Sequence, residues 1–418
     1  MDECNWRLRI FSRSHAFVVC IYLSHKRFVD WIDPILFLSM TVVGGISNSP
    51  KGDITDQPAV KLGVGQAPHG GQEWRHIANF VNDFSVTTNS RCPPDSALEA
   101  ARKELDNIEH YPAQDFEPAV TDLAQFLAAG HASNAVDIRA RLILGNGASE
   151  LIDMVARLAP QGGWKPGNTM VQYMEYERSA HNYERKKLDW SDKSARLTCM
   201  VNPTNPTGDY LNVDEMKRFI ETNCGDGSYV VIDESMQPWL GREWQRDSLV
   251  SQRDWVKQLY ETRNISVFVI HSWTKLWSCP GIRLGSILTP TEESATEMRR
   301  IQVPWSVNGP ALAFLTAAIN DVAYLEATWE TTPKFRANLA TEITRMYPEW
   351  QIFGKEWSSW LWIDCGSAAT AKAAVDACKA AGVPIRWGKY GYECPTYIRI
   401  GVRDQKYHEP LLRALASV

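Results

Sequence analysis

The chain has 418 residues, 44% of them apolar and 17 of them Trp, which is more than one compact core holds and points to about two or three domains. Its net charge is -5, with Lys and Arg scattered rather than gathered into a stripe, which argues against a nucleic-acid partner. Low-complexity tracts and internal repeats are absent, so disordered scaffolds and solenoids are set aside. The nine cysteines are odd in number and lack CxxC or Cys/His metal spacing, a pattern that suits a reducing, cytoplasmic setting with no metal site.

Residues 1–60 read as a leader or extension. Arg7, Arg9 and Arg13 precede an apolar run from Ala16 to Leu23, and a second run from Trp31 to Ile46 is broken by Asp33 and Pro34. Neither reaches the roughly 20 apolar residues of a spanning helix, so a signal or anchor segment and a disordered leader both remain open. Ser47 to Asp56 reads as a linker.

A helix is predicted from about Pro94 to Leu105. From residue 142 onward, short apolar runs alternate with turns and amphipathic stretches. Leu142-Ile143-Leu144 precedes Gly145-Asn146-Gly147, Leu197 to Val201 precedes Asn202-Pro203, Tyr229 to Ile232 precedes Asp233-Glu234, and Ile265 to Ile270 precedes His271-Ser272. Runs apolar on both faces and separated by helical stretches imply a mostly parallel sheet between helices, hence an α/β fold. In such sheets ligands sit beyond the carboxyl ends of the strands. Here those ends carry a Gly-rich turn, an Asn, an Asp and a Ser/Lys pair. Further on, Ala368 to Ala381 reads as a helix.

Each of the four ends has a plain reading and a chemical one. Gly145 to Ile152 passes from strand to helix, where free amides and the helix dipole favour a phosphate, although glycines there also serve sterics alone. Asn202-Pro203-Thr204-Asn205-Pro206-Thr207-Gly208 is a rigid turn whose amides offer donors to a phenolic oxygen. Asp233 either caps the next segment or holds a pyridinium nitrogen protonated. In the segment His271 to Gly285, Lys275 lies among apolar residues and near cations, which eases loss of its proton. Ser272 and Arg283 are placed to take a phosphate, the arginine through its fork.

Ser272 to Gly285 resembles the cofactor-lysine signature of fold-type-I pyridoxal-phosphate (PLP) enzymes of the class I/II aminotransferase group. The resemblance extends through His69-Gly70-Gly71, Asp83-Phe84-Ser85, Ile108 to Pro112, Gly145 to Ile152, Glu175 to Arg178, Asn202 to Gly208, Pro304 to Asn308 and Tyr397-Ile398-Arg399. In that order they look like threonine-phosphate decarboxylases and histidinol-phosphate aminotransferases. The resemblance implies a large PLP-binding domain over residues 111–304 and a small α+β domain from 61–110 and 305–418. It implies that Lys275 is the Schiff-base lysine and proton shuttle, that Asp233 partners the pyridine nitrogen, and that Asn205 donates to the ring oxygen. By the same resemblance Tyr173 stacks on the ring. Phosphate is held by the amides of Ala148 and Ser149, by Ser272 and Arg283, and by Tyr111 from the other subunit of a homodimer with shared sites. Arg399 grips the substrate carboxylate, with Arg386, His69 and Asn89 also on the substrate side.

Two departures stand out. Asp233-Glu234-Ser235-Met236 replaces the usual Asp-Glu-Ala followed by Tyr or Phe, so a hydroxyl to the ring oxygen is missing. The opening motif, usually Asn-x-Asn-Pro-x-Gly-Pro, is Thr87-Thr88-Asn89-Ser90-Arg91-Cys92-Pro93. The expected reaction is amino transfer on a small, in one version phosphorylated, L-amino acid. Decarboxylation is the alternative, and a non-catalytic PLP-binding module is the remote one.

Overall fold

The computed structural model describes residues 69–418 together with an antiparallel pair of short strands, β1 (Leu8–Arg13) and β2 (Ala16–Ile21). The apolar run from Ala16 thus lies in a strand for most of its length. The second run, Trp31 to Ile46, and the linker after it lie outside the described residues. No helix among the described residues is long and apolar enough to cross a membrane.

The later chain alternates helices and strands. It opens with α1 (Asp95–Glu104), α2 (Ala119–Leu127), α3 (Ala132–Arg141), β3 (Leu142–Asn146), α4 (Ala148–Leu158), β4 (Trp164–Pro166), α5 (Glu175–Asn182) and β5 (Leu197–Val201). There follow α6 (Val213–Asn223), β6 (Tyr229–Asp233), α7 (Arg253–Arg263), β7 (Ser266–His271), a single turn α8 (Trp273–Leu276), β8 (Leu284–Leu288), α9 (Glu292–Ile301), α10 (Gly309–Ile319) and α11 (Val322–Met346). Last come β9 (Gln351–Phe353), β10 (Trp360–Asp364), α12 (Ala368–Ala380), β11 (Arg386–Trp387), α13 (Lys389–Tyr392), β12 (Tyr397–Gly401) and α14 (His408–Leu415).

The large sheet has the order β3-β8-β7-β6-β5-β4. Strands β4 to β7 run parallel, and β8 enters antiparallel between β7 and β3. The apolar runs are continuous because alternate residues feed different cores. Val230 and Ile232 join Met200, Val267 and Val269 on one face, while Val231 joins Cys199, Phe268 and Ile270 on the other. Full burial of each such side chain contributes roughly 1.5–3 kcal/mol, which is what fixes the strand register. The intervening helices carry their own start signals. In α6 the Asn212 side chain accepts from Glu215 N at 3.0 Å, and the Glu215 carboxylate accepts from Asn212 N at 2.9 Å.

A second, antiparallel sheet has the order β11-β12-β10-β9. Its β10 alternates: Trp360 and Trp362 join the core under the large sheet, whereas Leu361 and Ile363 join Ile398, Ile400 and residues of α12 and α14 in a separate core. Residues 83–88 run beside β12, with Gly401 N donating to Phe84 O at 2.7 Å. Arg403 clamps that segment, giving hydrogen bonds to the carbonyls of Asp83 (2.8 Å), Val86 (2.9 Å) and Thr88 (2.9 Å).

Candidate active site

Strand register places the chemistry side by side. Val201 pairs with Asp233 and Asp233 with Ile270, so the turn after β5, the acid ending β6 and the Ser272 turn after β7 share one rim. One cavity is lined by Ala148, Ser149, Tyr173, Asn205, Asp233, Ser272, Lys275 and Arg283, all eight singled out in the sequence.

Asp233 is buried and well tethered. One oxygen accepts from Ser235 N at 2.9 Å and the other from the Tyr176 hydroxyl at 2.9 Å. Burial raises its pKa, opposed by the hydrogen bonds from Ser235 and Tyr176 and by the Lys275 charge. Lys275 opens onto the cavity from α8, and its amine makes no hydrogen bond or ion pair with a described residue. Its pKa falls to about 8, first through burial, then through the cations Arg399 and Arg283, with Asp233 opposing.

Another part of the cavity lining is rich in hydrogen-bond donors. Gly147 turns into α4 with φ +76°, and no side chain caps the first amides of that helix. Arg283 lies directly over this turn: a Cβ on Gly147 would sit 2.2 Å from its Nη2. Gly285 of β8 is equally constrained, because a Cβ there would lie 2.5 Å from Ala148 N. Ser272 and Thr274 hydroxyls, 2.8 Å apart, complete the cradle. Among the described residues Asp233 is the only acid lining the cavity, so the cradle suits a phosphate, Asp233 a protonated pyridine nitrogen, and Lys275 an aldehyde.

The remaining residues singled out in the sequence are spread around this centre. Arg399 is buried and gives Nη1 to Asn205 Oδ1 (2.6 Å) and the Tyr392 hydroxyl (2.8 Å), and Nη2 to Ser85 O (2.6 Å). Its buried Nε has no partner among the described residues. Arg386 donates to Tyr390 O at 2.8 Å and faces the Tyr392 ring at 5.9 Å. The His69 ring lies 5.8 Å from that of Tyr173 and bonds Glu175 at 2.9 Å. Burial, helped by Glu175, pushes the Tyr173 phenol up.

Two residues lie elsewhere. Asn89 is buried beneath the lysine turn rather than lining the cavity: its amide nitrogen bonds Leu276 O and Thr328 Oγ1, both at 2.8 Å, and its backbone N–H reaches Lys275 O at 2.9 Å. Tyr111 is 78% exposed and stacks on Trp305 at 4.5 Å. Sequence reasoning gave no role to Tyr176 or Tyr392, which stand 57 and 187 positions from their partners Asp233 and Asn205. It marked Ser235 and Met236 only as departures. Both line the cavity, and Ser235 Oγ accepts from Ser272 N at 2.7 Å.

The family model for aminotransferase class I and II matches residues 80–415. The chain belongs to the class I and II aminotransferases. This aminotransferase is 24% identical to the histidinol-phosphate aminotransferase of Methanothermobacter thermautotrophicus over 314 residues, covering 70% of this chain and 77% of that one. It is 29% identical to the threonine-phosphate decarboxylase of Salmonella typhimurium over 268 residues, covering 59% and 67%. Its fold matches the Sinorhizobium meliloti histidinol-phosphate aminotransferase in complex with pyridoxal-5'-phosphate, with a TM-score of 0.67 at 20% identity over 82% of this chain and 92% of that one. The cofactor of the aminotransferase is pyridoxal 5'-phosphate.

Proposed function

We propose that this aminotransferase moves the amino group of a small L-amino acid carrying a phosphate ester. The observation that carries this reading is the single cavity in which the Lys275 amine and the Asp233 carboxylate stand with a donor-rich cradle. Bound pyridoxal phosphate supplies an electron sink for the carbanion left at the substrate α-carbon. With pyridoxal phosphate bound, Lys275 Nζ, its pKa lowered to about 8, would hold the cofactor's aldehyde carbon and would be the group placed to move a proton at the substrate α-carbon. Asp233 keeps a proton on the ring nitrogen, with Tyr176 and Ser235 fixing both its oxygens. Tyr173 covers the ring, Asn205 serves the ring oxygen, and Arg399 takes the substrate carboxylate. Arg386 and His69 serve the substrate's second anion, a role supported by the phosphate in both relatives' names.

The reading extends to organisation. A small domain from residues 61–110 and 305–418 is supported by the second sheet and its own core, against a large domain over 111–304. A homodimer in which Tyr111 reaches the partner's phosphate is supported by the exposed apolar groups Ile108, Tyr111, Val303 and Trp305. Seven described cysteines without a disulfide support a reducing, cytoplasmic setting.

Decarboxylation is the second reading, favoured by the 29% identity to the Salmonella enzyme. The purified protein, incubated with phosphorylated L-amino acids and a keto acid, should exchange amino groups without matching release of carbon dioxide. Carbon dioxide evolved in step with substrate loss overturns amino transfer in favour of the second reading. A protein that takes up no pyridoxal phosphate overturns both.

A further inference from the structure

Tyr392 occupies a place that neither the cofactor cradle nor the substrate arginines account for. Its ring lies 5.9 Å from the guanidinium of Arg386 and 5.9 Å from that of Arg399, and stands edge-on to Trp362 at 5.8 Å. The hydroxyl accepts from Arg399 Nη1 at 2.8 Å and is 3.4 Å from Asn205 Oδ1, to which it donates. The backbone is bent to deliver it: Gly391 at φ +82° and Glu393 at φ +56° flank the tyrosine, and a non-glycine residue in that region costs on the order of 1 kcal/mol or more. The nearest cavity position with a conventional hydroxyl role in the resemblance, residue 236, is a buried methionine here.

We propose that Tyr392 is a positioning residue, a phenol relay that ties the carboxylate-gripping Arg399 to the amide of Asn205 and fixes which end of that amide faces the cofactor. The logic is one of hydrogen-bond inventory. An Asn side chain has an accepting oxygen and a donating nitrogen that differ little in shape, so its orientation is set by its neighbours. Two donors, Arg399 Nη1 and the Tyr392 hydroxyl, converge on Oδ1. With Oδ1 so held, Nδ2 turns into the cavity and is offered to the cofactor's ring oxygen. The same hydroxyl also holds Arg399, so a substrate carboxylate docking on the arginine is felt at Asn205 along two routes, the direct 2.6 Å bond and the phenol that braces both partners. The inference rests on the proposed function, because it needs a ring oxygen for Asn205 to serve.

The test uses the holoenzyme and its Y392F, N205A and double variants, reading the midpoint of the pH titration of the bound cofactor's absorbance. A donor to the ring oxygen favours the anionic form and holds the midpoint down, so N205A should raise it. Losing one neutral hydrogen bond, Y392F should raise it by about half a unit to one unit. The double variant should move no further than N205A alone, because the phenol acts through the amide. KM for the amino acid should also rise about three- to tenfold in Y392F as Arg399 loses an acceptor. A Y392F titration superimposable on the parent, even with a lowered melting temperature, overturns the relay, and so does an additive shift in the double variant. A parent that binds no pyridoxal phosphate overturns the function reading and the relay together, whereas a normally titrating parent beside an unmoved Y392F sinks the relay alone.

Discussion

A lysine that must add to an aldehyde has to give up its proton first, and its surroundings decide how readily Lys275 does so. Burial and the cations Arg399 and Arg283 lower its pKa to about 8, against Asp233. Below that value the amine is mostly protonated and inert; above it the neutral form dominates. Cofactor uptake by the apoenzyme should therefore speed up about tenfold per pH unit below about 8 and level off above it, followed by stopped-flow absorbance. A rate that goes on rising tenfold per unit through pH 9, with no levelling near 8, contradicts a lowered lysine. Lys275→Ala should reduce amino transfer by roughly a thousandfold or more, since it removes both the anchor and the proton carrier, as single-turnover assays will show. At this scale much was legible: seven residues picked from four turns, with Tyr173 from the family resemblance, line one cavity. Tyr176 and Tyr392 were not, because their hydroxyls matter only through partners far along the chain, and no local pattern marks such a pairing.

The elements that carry these residues were readable to different degrees for a physical reason. Strands β5, β6 and β7 are apolar over most of their length because both faces meet a core, and they stand where the apolar runs put them. The helix expected from Ala368 to Ala381 appears as α12, opened by the Ser367 cap. Strand β8, which starts only at the end of the lysine signature, was not picked out, since its Leu-Gly-Ser-Ile-Leu carries a glycine set by contact with α4. Asn89 shows how tertiary context reassigns an element's residue. It sits in the altered opening motif yet holds α8 in place through Leu276 O and Thr328 Oγ1. Asn89→Ala should cost about 2–3 kcal/mol of stability by leaving buried groups unpaired, measured as a shift in the urea midpoint with unchanged slope. A variant as stable as the parent means that the clamp is idle.

For the molecule as a whole, the proposed dimer makes a direct demand on the exposed apolar groups Ile108, Tyr111, Val303 and Trp305. Trp305→Glu, which places a charge under the Tyr111 ring, should convert dimer to monomer in sedimentation velocity and weaken cofactor binding at least about tenfold. A monomer that binds pyridoxal phosphate as tightly as the parent removes the shared site. The clamp of Arg403 on Asp83, Val86 and Thr88 has a consequence of a different kind. Segments emerging early from the ribosome wait for a side chain synthesised more than three hundred positions later. During translation that early segment therefore stays unclamped, and a nascent polypeptide stopped short of its carboxyl end leaves three carbonyls without the guanidinium that gathers them.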